Sequence, residues 1–278
     1  MTPPEREPDD FDPRVPPAPE AHGPLETALR SARARGAKLL VPYVTGGLGG
    51  DWLEAVAAVA DAGADAIEVG IPFSDPVMDG PVIQAASEQA LAAGATPVTI
   101  LDGLRQADAG VPLAVMTYYN IAARMGLRRF AASLAEAGVA AAILPDLPLE
   151  EVGPWARSAD WGGVETVLLA APTASDERLA RVCARARGFV YAVGLLGVTG
   201  ERDELAASSL VIAERLKSLT DKPVLVGVGV SNAAQAREVC EVADGVVIGS
   251  ALVRRLLDGE GPAGAARFIA SVRQALDG

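Results

Sequence analysis

Histidine and lysine are scarce in this chain of 278 residues, which holds one histidine, His22, and three lysines, Lys38, Lys217 and Lys222. Without a group of histidines, the sequence offers no ligand set typical of a catalytic zinc. The lysines stand at the starts of predicted strands or near the end of a helix, away from the face where parallel barrels keep their chemistry. A lysine that forms a Schiff base with a substrate is therefore not expected.

Three other absences narrow the class of protein. The two cysteines, Cys183 and Cys240, fit no metal-ligand spacing and suit a reduced compartment. No apolar run reaches the roughly 18 residues that span a membrane, and no signal peptide is recognisable. Acidic residues outnumber basic ones by 12 (36 minus 24), without a basic stripe. These features predict a cytoplasmic protein that binds neither nucleic acid nor membrane, with chemistry based on carboxylates, tyrosines and backbone groups.

Eight short apolar runs, each followed by a helical pattern, divide most of the chain. Regular alternation of strands and helices indicates right-handed βαβ units and a parallel sheet. Eight units in about 250 residues favour an α/β protein with a (β/α)8 TIM barrel. An open doubly wound sheet is disfavoured because TGGLGG, from Thr45, lacks the GxGxxG spacing. The predicted strands are 38–44, 66–71, 112–117, 140–144, 165–170, 189–193, 224–228 and 245–248.

The region before the first strand divides into two parts. Residues 1–23 are rich in proline, aspartate and glutamate and have little to bury, which predicts a disordered N-terminal tail. A tail that docks on a partner is the alternative. Residues 25–36 follow a helical pattern, and we expect this extra N-terminal helix to close the bottom of the barrel. The predicted catalytic domain is therefore 24–278.

One stretch, IEVGIPFSDPVMDGP from Ile67, begins as a strand and ends as a proline-rich loop. At the period of two that a strand imposes, Glu68 shares a face with Gly70, and we expect that face to point into the barrel mouth. A carboxylate among apolar neighbours is costly unless it is hydrogen-bonded or protonated. Two interpretations stay open here. Glu68 is either satisfied by a backbone group or salt bridge, or it flanks a substrate together with Asp75 or Asp79 of the loop.

Glycine-rich segments follow the last two predicted strands, GVGVS from Gly227 and GSA from Gly249. Glycine permits a close approach of the backbone, and the start of a helix supplies free N–H groups and a positive dipole end. Many barrels bind phosphate at these two loops. The pattern predicts a small phosphorylated substrate and says little about the reaction. Glycines that serve only tight turns are the alternative.

Two further features surround the predicted mouth. Aromatic residues make up only 4% of the chain, yet tyrosines stand at strand ends, which suggests a flat ligand or a hydroxyl role, with core packing as the alternative that is favoured for at least one of them. The segment 194–205, GLLGVTGERDEL, is either a lid that closes over substrate or an ordinary solvated loop. The tyrosines are Tyr43, Tyr118, Tyr119 and Tyr191.

Eight segments carry a resemblance to a known family. They are PYVTGG from Pro42, IEVGIPFSDPVMDGP from Ile67, YYN from Tyr118, PDLPLEE from Pro145, APT from Ala171, GFVYAVGLLGVTG from Gly188, VGVGVS around Gly227 and DGVVIGSA from Asp244. Together, from about residue 24 to the C-terminus, they resemble the α subunit of tryptophan synthase. The PFSDP…DGP element is specific to that family, whereas the glycine-rich phosphate segments are shared with many barrels.

The resemblance implies a lyase of tryptophan biosynthesis. It would cleave indole-3-glycerol phosphate to indole and glyceraldehyde 3-phosphate without a cofactor of its own, and would not need a metal or a Schiff base. It also implies a tryptophan synthase β subunit as partner, in an αββα heterotetramer, with pyridoxal phosphate in that β subunit. A stand-alone lyase that releases free indole, and a non-catalytic barrel that activates a partner enzyme, are the alternatives. Another sugar-phosphate barrel would keep the phosphate loops but has no reason for PFSDP…DGP.

The resemblance also implies roles for single residues. Glu68 matches the acid–base group that protonates indole C3 and handles the glycerol hydroxyl, Asp79 matches the carboxylate that stabilises the indole nitrogen, and Tyr191 matches a supporting tyrosine. The matching phosphate contacts are Gly200, Gly229, Gly249 and Ser250, and the matching pocket and lid residues are Tyr43, Tyr118 and Thr199.

The chain departs from the family pattern at the rim and the lid. Residues 48–51 lengthen a loop, a leucine pair stands at 195–196, Val228 replaces a common phenylalanine and Met78 replaces a frequent alanine. None of these departures removes a predicted acid.

Overall fold

The fold is described by a computed structural model for residues 15–194, 202–227 and 229–278. In this part of the chain, eight parallel strands close into a barrel in sequence order, and the last strand pairs with the first. All eight predicted strands are present, so the predicted TIM barrel is confirmed. The strands are β1 Leu39–Thr45, β2 Ile67–Gly70, β3 Leu113–Met116, β4 Val139–Ile143, β5 Glu165–Ala170, β6 Val190–Ala192, β7 Val224–Val226 and β8 Gly245–Ile248.

Helices surround the barrel, and most of the connections between strands contain one of them. Several begin with proline in the first turn, where its missing N–H costs nothing. The helices are α1 Pro24–Ala34, α2 Trp52–Asp61, α3 Pro81–Ala92, α4 Pro97–Leu104, α5 Tyr119–Met125, α6 Leu127–Glu136, α7 Gly153–Gly162, α8 Asp176–Arg185, α9 Arg202–Leu219, α10 Ala233–Cys240, α11 Ser250–Leu257 and α12 Gly261–Asp277, with a 3₁₀ turn at Leu149–Glu151. None of the helices described combines the length and apolar character that crossing a membrane requires.

The apolar core has two layers because successive strand residues face opposite sides of the barrel wall. Ile67, Val69 and Ile71 belong to the outer layer, which packs between the strands and the helices. Ala66, on the other face, belongs to the inner layer inside the barrel. The predicted separation of the two faces of β2 is therefore confirmed, and Glu68 shares the inner face with Ala66.

Helix α1 closes the bottom of the barrel, as its position before the first strand predicted. Leu25 and Leu29 are fully buried and pack in the inner layer with Leu39 and Phe189. Burial of two leucine side chains contributes roughly 3–6 kcal/mol. The helix therefore serves as a plug for the end of the barrel opposite the strand C-termini.

The start of α1 is held by an acid from the far half of the chain. The backbone N–H groups of Leu25 and Glu26 donate to the two carboxylate oxygens of Glu165 on β5, at 2.7 and 3.0 Å. A Cβ atom at Gly23 would lie 2.3 Å from the Glu165 side chain, so only glycine admits this approach. Glu165 thus acts as a capping residue supplied by another element.

The three lysines lie at the closed end of the barrel, as expected. Lys38 donates to the carbonyl oxygen of Ala243, and Lys217 pairs with Asp244 at 2.7 Å. Lys222 donates to carbonyl oxygens at the end of α8. Each ammonium group therefore has a structural partner on the face opposite the barrel mouth.

The N-terminal segment is described from Val15 onward. Val15 packs against the outer core layer, and the carbonyl oxygen of Ala21 accepts a hydrogen bond from Arg187 at 3.1 Å. The remainder of the predicted tail, 1–14, lies outside the described residues. The domain boundary after residue 23 stays a prediction.

Candidate active site

Glu68 is a buried acid with an unused oxygen. Its side chain projects from β2 into the barrel and is only 1% exposed. Among the described residues, no hydrogen-bond partner meets its buried Oε2 atom. Burial raises the pKa of Glu68 to about 8, and the negative charge of Asp79 adds to the rise. At neutral pH the residue is therefore mostly protonated and can donate a proton.

The neighbouring strand places an aromatic wall beside this acid. Tyr43 on β1 is the register partner of Glu68 on β2, so both side chains enter the barrel at the same level. The Tyr43 ring then crosses over Gly70, where a Cβ atom would lie 1.9 Å from the tyrosine hydroxyl. Gly70 is required for this close approach. The alternation Glu68-x-Gly70 thus supplies an acid and the space for the ring beside it.

Asp79 lies in the loop between β2 and α3 and is half-buried. Burial raises the pKa of Asp79 above its ordinary value, and a hydrogen bond with the Tyr118 hydroxyl opposes this rise. The same hydroxyl oxygen accepts the backbone N–H of Met78 at 2.9 Å. The Tyr118 ring stacks on Phe73, with centroids 5.0 Å apart. Tyr118 therefore holds the loop at both of its ends.

Gln84 also contacts this loop, and its contact was not predicted from the sequence. From the first turn of α3, its side-chain amide donates to the carbonyl oxygens of Asp79, at 2.8 Å, and Pro76, at 3.4 Å. The sequence feature that could have predicted this contact is a polar side chain in the helical turn directly after the DGP segment. Asp75, the other acid of the loop, is exposed and accepts the Ser74 hydroxyl.

Tyr191 projects into the barrel from β6 and is buried. Burial first, and then the charge of Glu68, raises the pKa of Tyr191 well above its ordinary value. Its ring lies against Gly227, where a Cβ atom would be 2.1 Å from the ring. The hydroxyl thus stays protonated close to the two acids. Glycines on β2 and after β7 make room for the two inward-facing tyrosines.

The start of α11 forms the other end of the site. Gly249 is the N-cap residue and provides no side-chain acceptor, and the Leu252 N–H of the first turn donates to the Gly249 carbonyl oxygen at 3.0 Å. Ser250, the first helical residue, is exposed. By contrast, the start of α10 is capped by Asn232, whose side chain accepts the Gln235 N–H. Among the described residues no side chain caps α11, and Gly249 and Ser250 line the cavity, so the first N–H groups of α11 are open to an anion bound there.

A cavity of about 350 Å³ at the barrel mouth brings most of these groups together. Its apolar walls include Met116, Leu169 and Val247. The predicted site residues that line it are Tyr43, Glu68, Asp79, Tyr191, Gly249 and Ser250. Among the described residues of the prediction, Tyr118 and Gly229 do not line it. Thr199 and Gly200 lie outside the described residues, as do all of positions 195–201 within the predicted lid segment 194–205.

The arrangement can bind a flat apolar ring and an anion at once. Its two carboxyl groups can donate protons to the bound molecule and accept protons from it. Glu68, whose pKa burial raises to about 8, and Asp79, whose charge adds to that rise, line one cavity, and two carboxyl groups in one cavity can take different acid and base roles. The uncapped start of α11 supplies a place for a phosphate. Within the described part of the chain, no group of three or more histidine, cysteine, aspartate or glutamate side chains is arranged to hold a metal ion.

Comparisons with known proteins agree with this geometry. A family model described as "Tryptophan synthase alpha chain" matches residues 29–275. The tryptophan synthase alpha chain of Streptomyces coelicolor is 48% identical over 240 residues, which cover 84% of this chain and 88% of the relative. That of Thermobifida fusca is 46% identical over 240 residues, with coverages of 84% and 89%.

Solved structures extend the similarity to the fold. A tryptophan synthase from M. tuberculosis, in an aminoacrylate- and BRD0059-bound form, superposes with a TM-score of 0.84 at 34% identity, over 92% of this chain and 99% of that chain. The alpha subunit from Legionella pneumophila str. Paris gives a TM-score of 0.83 at 32% identity, over 92% and 99%. The similarity therefore includes the barrel and the segments that line the cavity.

Proposed function

Because the chain belongs to the tryptophan synthase alpha chain family, and is thus a lyase that cleaves indole-3-glycerol phosphate to indole and glyceraldehyde 3-phosphate, we propose how its residues perform that reaction. Glu68 is the acid–base group. The observation that carries this assignment is a buried, mostly protonated carboxyl group with one oxygen unpartnered among the described residues. Such a group has a proton to deliver and is not engaged in holding the fold.

The proposed reaction needs two proton transfers at Glu68. The protonated carboxyl first donates to indole C3, and the positive charge that results spreads to the ring nitrogen. The Glu68 carboxylate then takes the proton of the adjacent glycerol hydroxyl as the carbon–carbon bond breaks. The bonding electrons return to the ring, so indole and an aldehyde leave together. The electron sink is the substrate's own ring, which agrees with lysines that all lie at the closed end.

Asp79 and Tyr191 support these steps. Asp79 faces the cavity and would accept the ring N–H, stabilising the positive charge that develops there. Tyr191 keeps its proton and stands near the charge of Glu68, so its hydroxyl can donate to Glu68 or to the substrate. The two carboxyl groups thereby take different roles in one cavity.

The remaining predicted residues form the binding surfaces. Gly249 and Ser250 would bind the phosphate at the start of α11. Gly229 and Gly200 are proposed as further phosphate contacts. Tyr43 forms the wall beside the indole ring. Tyr118 and Thr199 are proposed to act at the rim, Tyr118 through the Asp79 loop.

The implied partner is a tryptophan synthase β subunit, and we propose an αββα heterotetramer. The chain itself needs no cofactor, and pyridoxal phosphate belongs to the β subunit. Val77 and Met78, beside Asp79, are 82% and 43% exposed and offer an apolar contact at the mouth. A β subunit docked there would cover the cavity and receive the indole. We propose a cytoplasmic location for the assembly.

The test is indole release from indole-3-glycerol phosphate by the full chain, alone and with a β subunit. We expect weak activity alone and a rise of at least about tenfold with the partner, because misplacing a catalytic group by about 1 Å costs roughly 10²-fold. A chain that is fully active alone and unaffected by any β subunit would instead be a stand-alone lyase. A chain that never releases indole but stimulates the β subunit would be the non-catalytic activator.

A further inference from the structure

The loop that carries Asp79 has little apolar anchoring of its own. Ser74, Asp75, Val77 and Met78 are exposed, and Asp79 is half-buried. Beyond the Phe73 ring, which stacks on Tyr118, the position of this loop therefore depends on a few polar contacts with neighbouring elements. Two side chains make those contacts: Tyr118 from one side, and Gln84 from the other.

Gln84 joins the loop to a rigid element. Its backbone N–H donates to the Gly80 carbonyl as part of the first turn of α3, at 3.0 Å. Its side-chain amide turns back and donates to the Asp79 carbonyl, at 2.8 Å, and to the Pro76 carbonyl, at 3.4 Å. One amide group therefore fixes two points of the loop, three residues apart, relative to the helix.

The contact sets the position of the loop backbone. The two residues that accept the amide, Pro76 and Asp79, are half-buried in a loop whose neighbouring residues are mostly exposed. Fixing the Asp79 carbonyl fixes the Cα atom from which the carboxylate projects. The Tyr118 hydroxyl then selects the direction of that carboxylate. The two contacts together leave the acid little freedom.

We infer that Gln84 is a positioning residue for Asp79, acting through the main chain of the loop and without touching the substrate. The inference rests on the proposed catalytic role of Asp79. Gln84 is half-buried and is not among the residues that line the described cavity, whereas Asp79 and its neighbour Gly80 do line it.

The test compares two glutamines of the same helix. Gln84→Met keeps the length and helix propensity of the side chain but removes the donor. Gln89→Met makes the same change at an exposed position of α3. With the full chain and a β subunit, we expect Gln84→Met to lower kcat at least about tenfold and to change KM less than about threefold, because the phosphate contacts at α11 are untouched. Gln89→Met should match the unmodified chain.

A double-mutant cycle separates positioning from general loosening of the fold. If Gln84 acts through Asp79, then Gln84→Met introduced into Asp79→Asn should lower kcat less than about twofold further. An equal loss in both backgrounds would overturn the inference, and so would an unchanged kcat in Gln84→Met. Gln84→Ala, which leaves no long side chain to repack, must give the same pattern, and thermal melting checks that each variant is folded.

The same experiment distinguishes failure of this inference from failure of the proposed function. If Asp79→Asn alone retains full kcat, the catalytic role of Asp79 is wrong and the inference falls with it. If Asp79→Asn is impaired while Gln84→Met is not, only the positioning role of Gln84 is wrong.

Discussion

Two glutamates are buried in strands of this barrel, and their surroundings are opposite. Glu165, at the closed end, is fully buried and uses both carboxylate oxygens to accept backbone N–H groups of α1. Glu68, at the open end, is equally buried, but its Oε2 meets no partner among the described residues. Burial raises the pKa of both. The comparison teaches that the partners of a buried acid, not its burial, distinguish the structural residue Glu165 from Glu68, which we propose is reactive.

Two helix starts show the same contrast. The start of α1 receives the Glu165 carboxylate, while the start of α11 receives no side-chain cap and opens on the cavity. Both starts present N–H groups that have no acceptor within their own helix, and the positive end of a dipole. At the closed end the protein supplies the anion itself, and at the open end we propose that the substrate phosphate takes this place.

Replacing the reactive glutamate should have the largest effect. In Glu68→Gln a carboxamide cannot transfer the proton, so we expect indole release to fall about 10²–10⁴-fold. The thermal midpoint should stay the same or rise, since an incompletely bonded buried carboxyl group contributes no stability. Steady-state kinetics and calorimetry measure the two effects. A variant that kept more than about a tenth of the activity would contradict the assignment.

The pH dependence of catalysis should follow Glu68. The proton donor is the protonated form, so kcat/KM should be constant at neutral pH and fall about tenfold per unit above pH 8, the pKa in the free enzyme. Stability should follow the same group. Because burial raises the pKa from 4.5 to about 8, the free energy of unfolding should decrease as pH rises between these values. This decrease should be smaller in Glu68→Gln, because one group with a raised pKa is then missing, whereas a kcat/KM that is flat to pH 10 would exclude Glu68 as the donor.

A side chain at the open helix start should weaken anion binding. A Cβ atom at Gly249 would meet only Tyr43, at an ordinary distance of 3.7 Å, so the fold should accept it. Gly249→Val should raise KM and the inhibition constant of inorganic phosphate together, each by about tenfold, because the side chain displaces the anion from the N–H groups. If phosphate inhibition were unchanged, the anion would bind elsewhere. Gly229 is a poorer probe, since its φ of 87° strains any other residue.

Replacing the structural glutamate should have the smallest effect on activity. Glu165→Gln loses one of two charge-assisted hydrogen bonds to α1, so we expect the free energy of unfolding to fall by about 1–3 kcal/mol. Activity should stay within about twofold, because the residue lies at the opposite end of the barrel from the cavity. Denaturant titration measures the loss of unfolding free energy, and the indole assay measures the activity. A larger loss of activity than in Glu68→Gln would reverse the comparison.

The barrel was predictable because its signals are local. Alternation along β2 separates Ile67 and Val69 from Glu68, and each predicted strand lies within a few residues of the observed one. The difference between the two glutamates was not predictable, since each stands in an apolar run and the partners of Glu165 lie 139 and 140 positions away. The contact made by Gln84 was not predictable for another reason. Its amide donates to the backbone of a loop whose conformation cannot be deduced from the sequence.

The bond between α1 and Glu165 also sets an order of events during synthesis. Leu25 leaves the ribosome 140 residues before its acceptor. At about 5–20 residues per second, the synthesis of these 140 residues takes roughly 7–28 seconds, and helix α1 has no β5 to bind during that time. Until then its two leucines have no barrel interior to enter, and a nascent chain stopped before Glu165 should show α1 amides unprotected from hydrogen exchange. Helix α1 therefore docks only after more than half of the chain has been made, although it is made before every strand of the barrel.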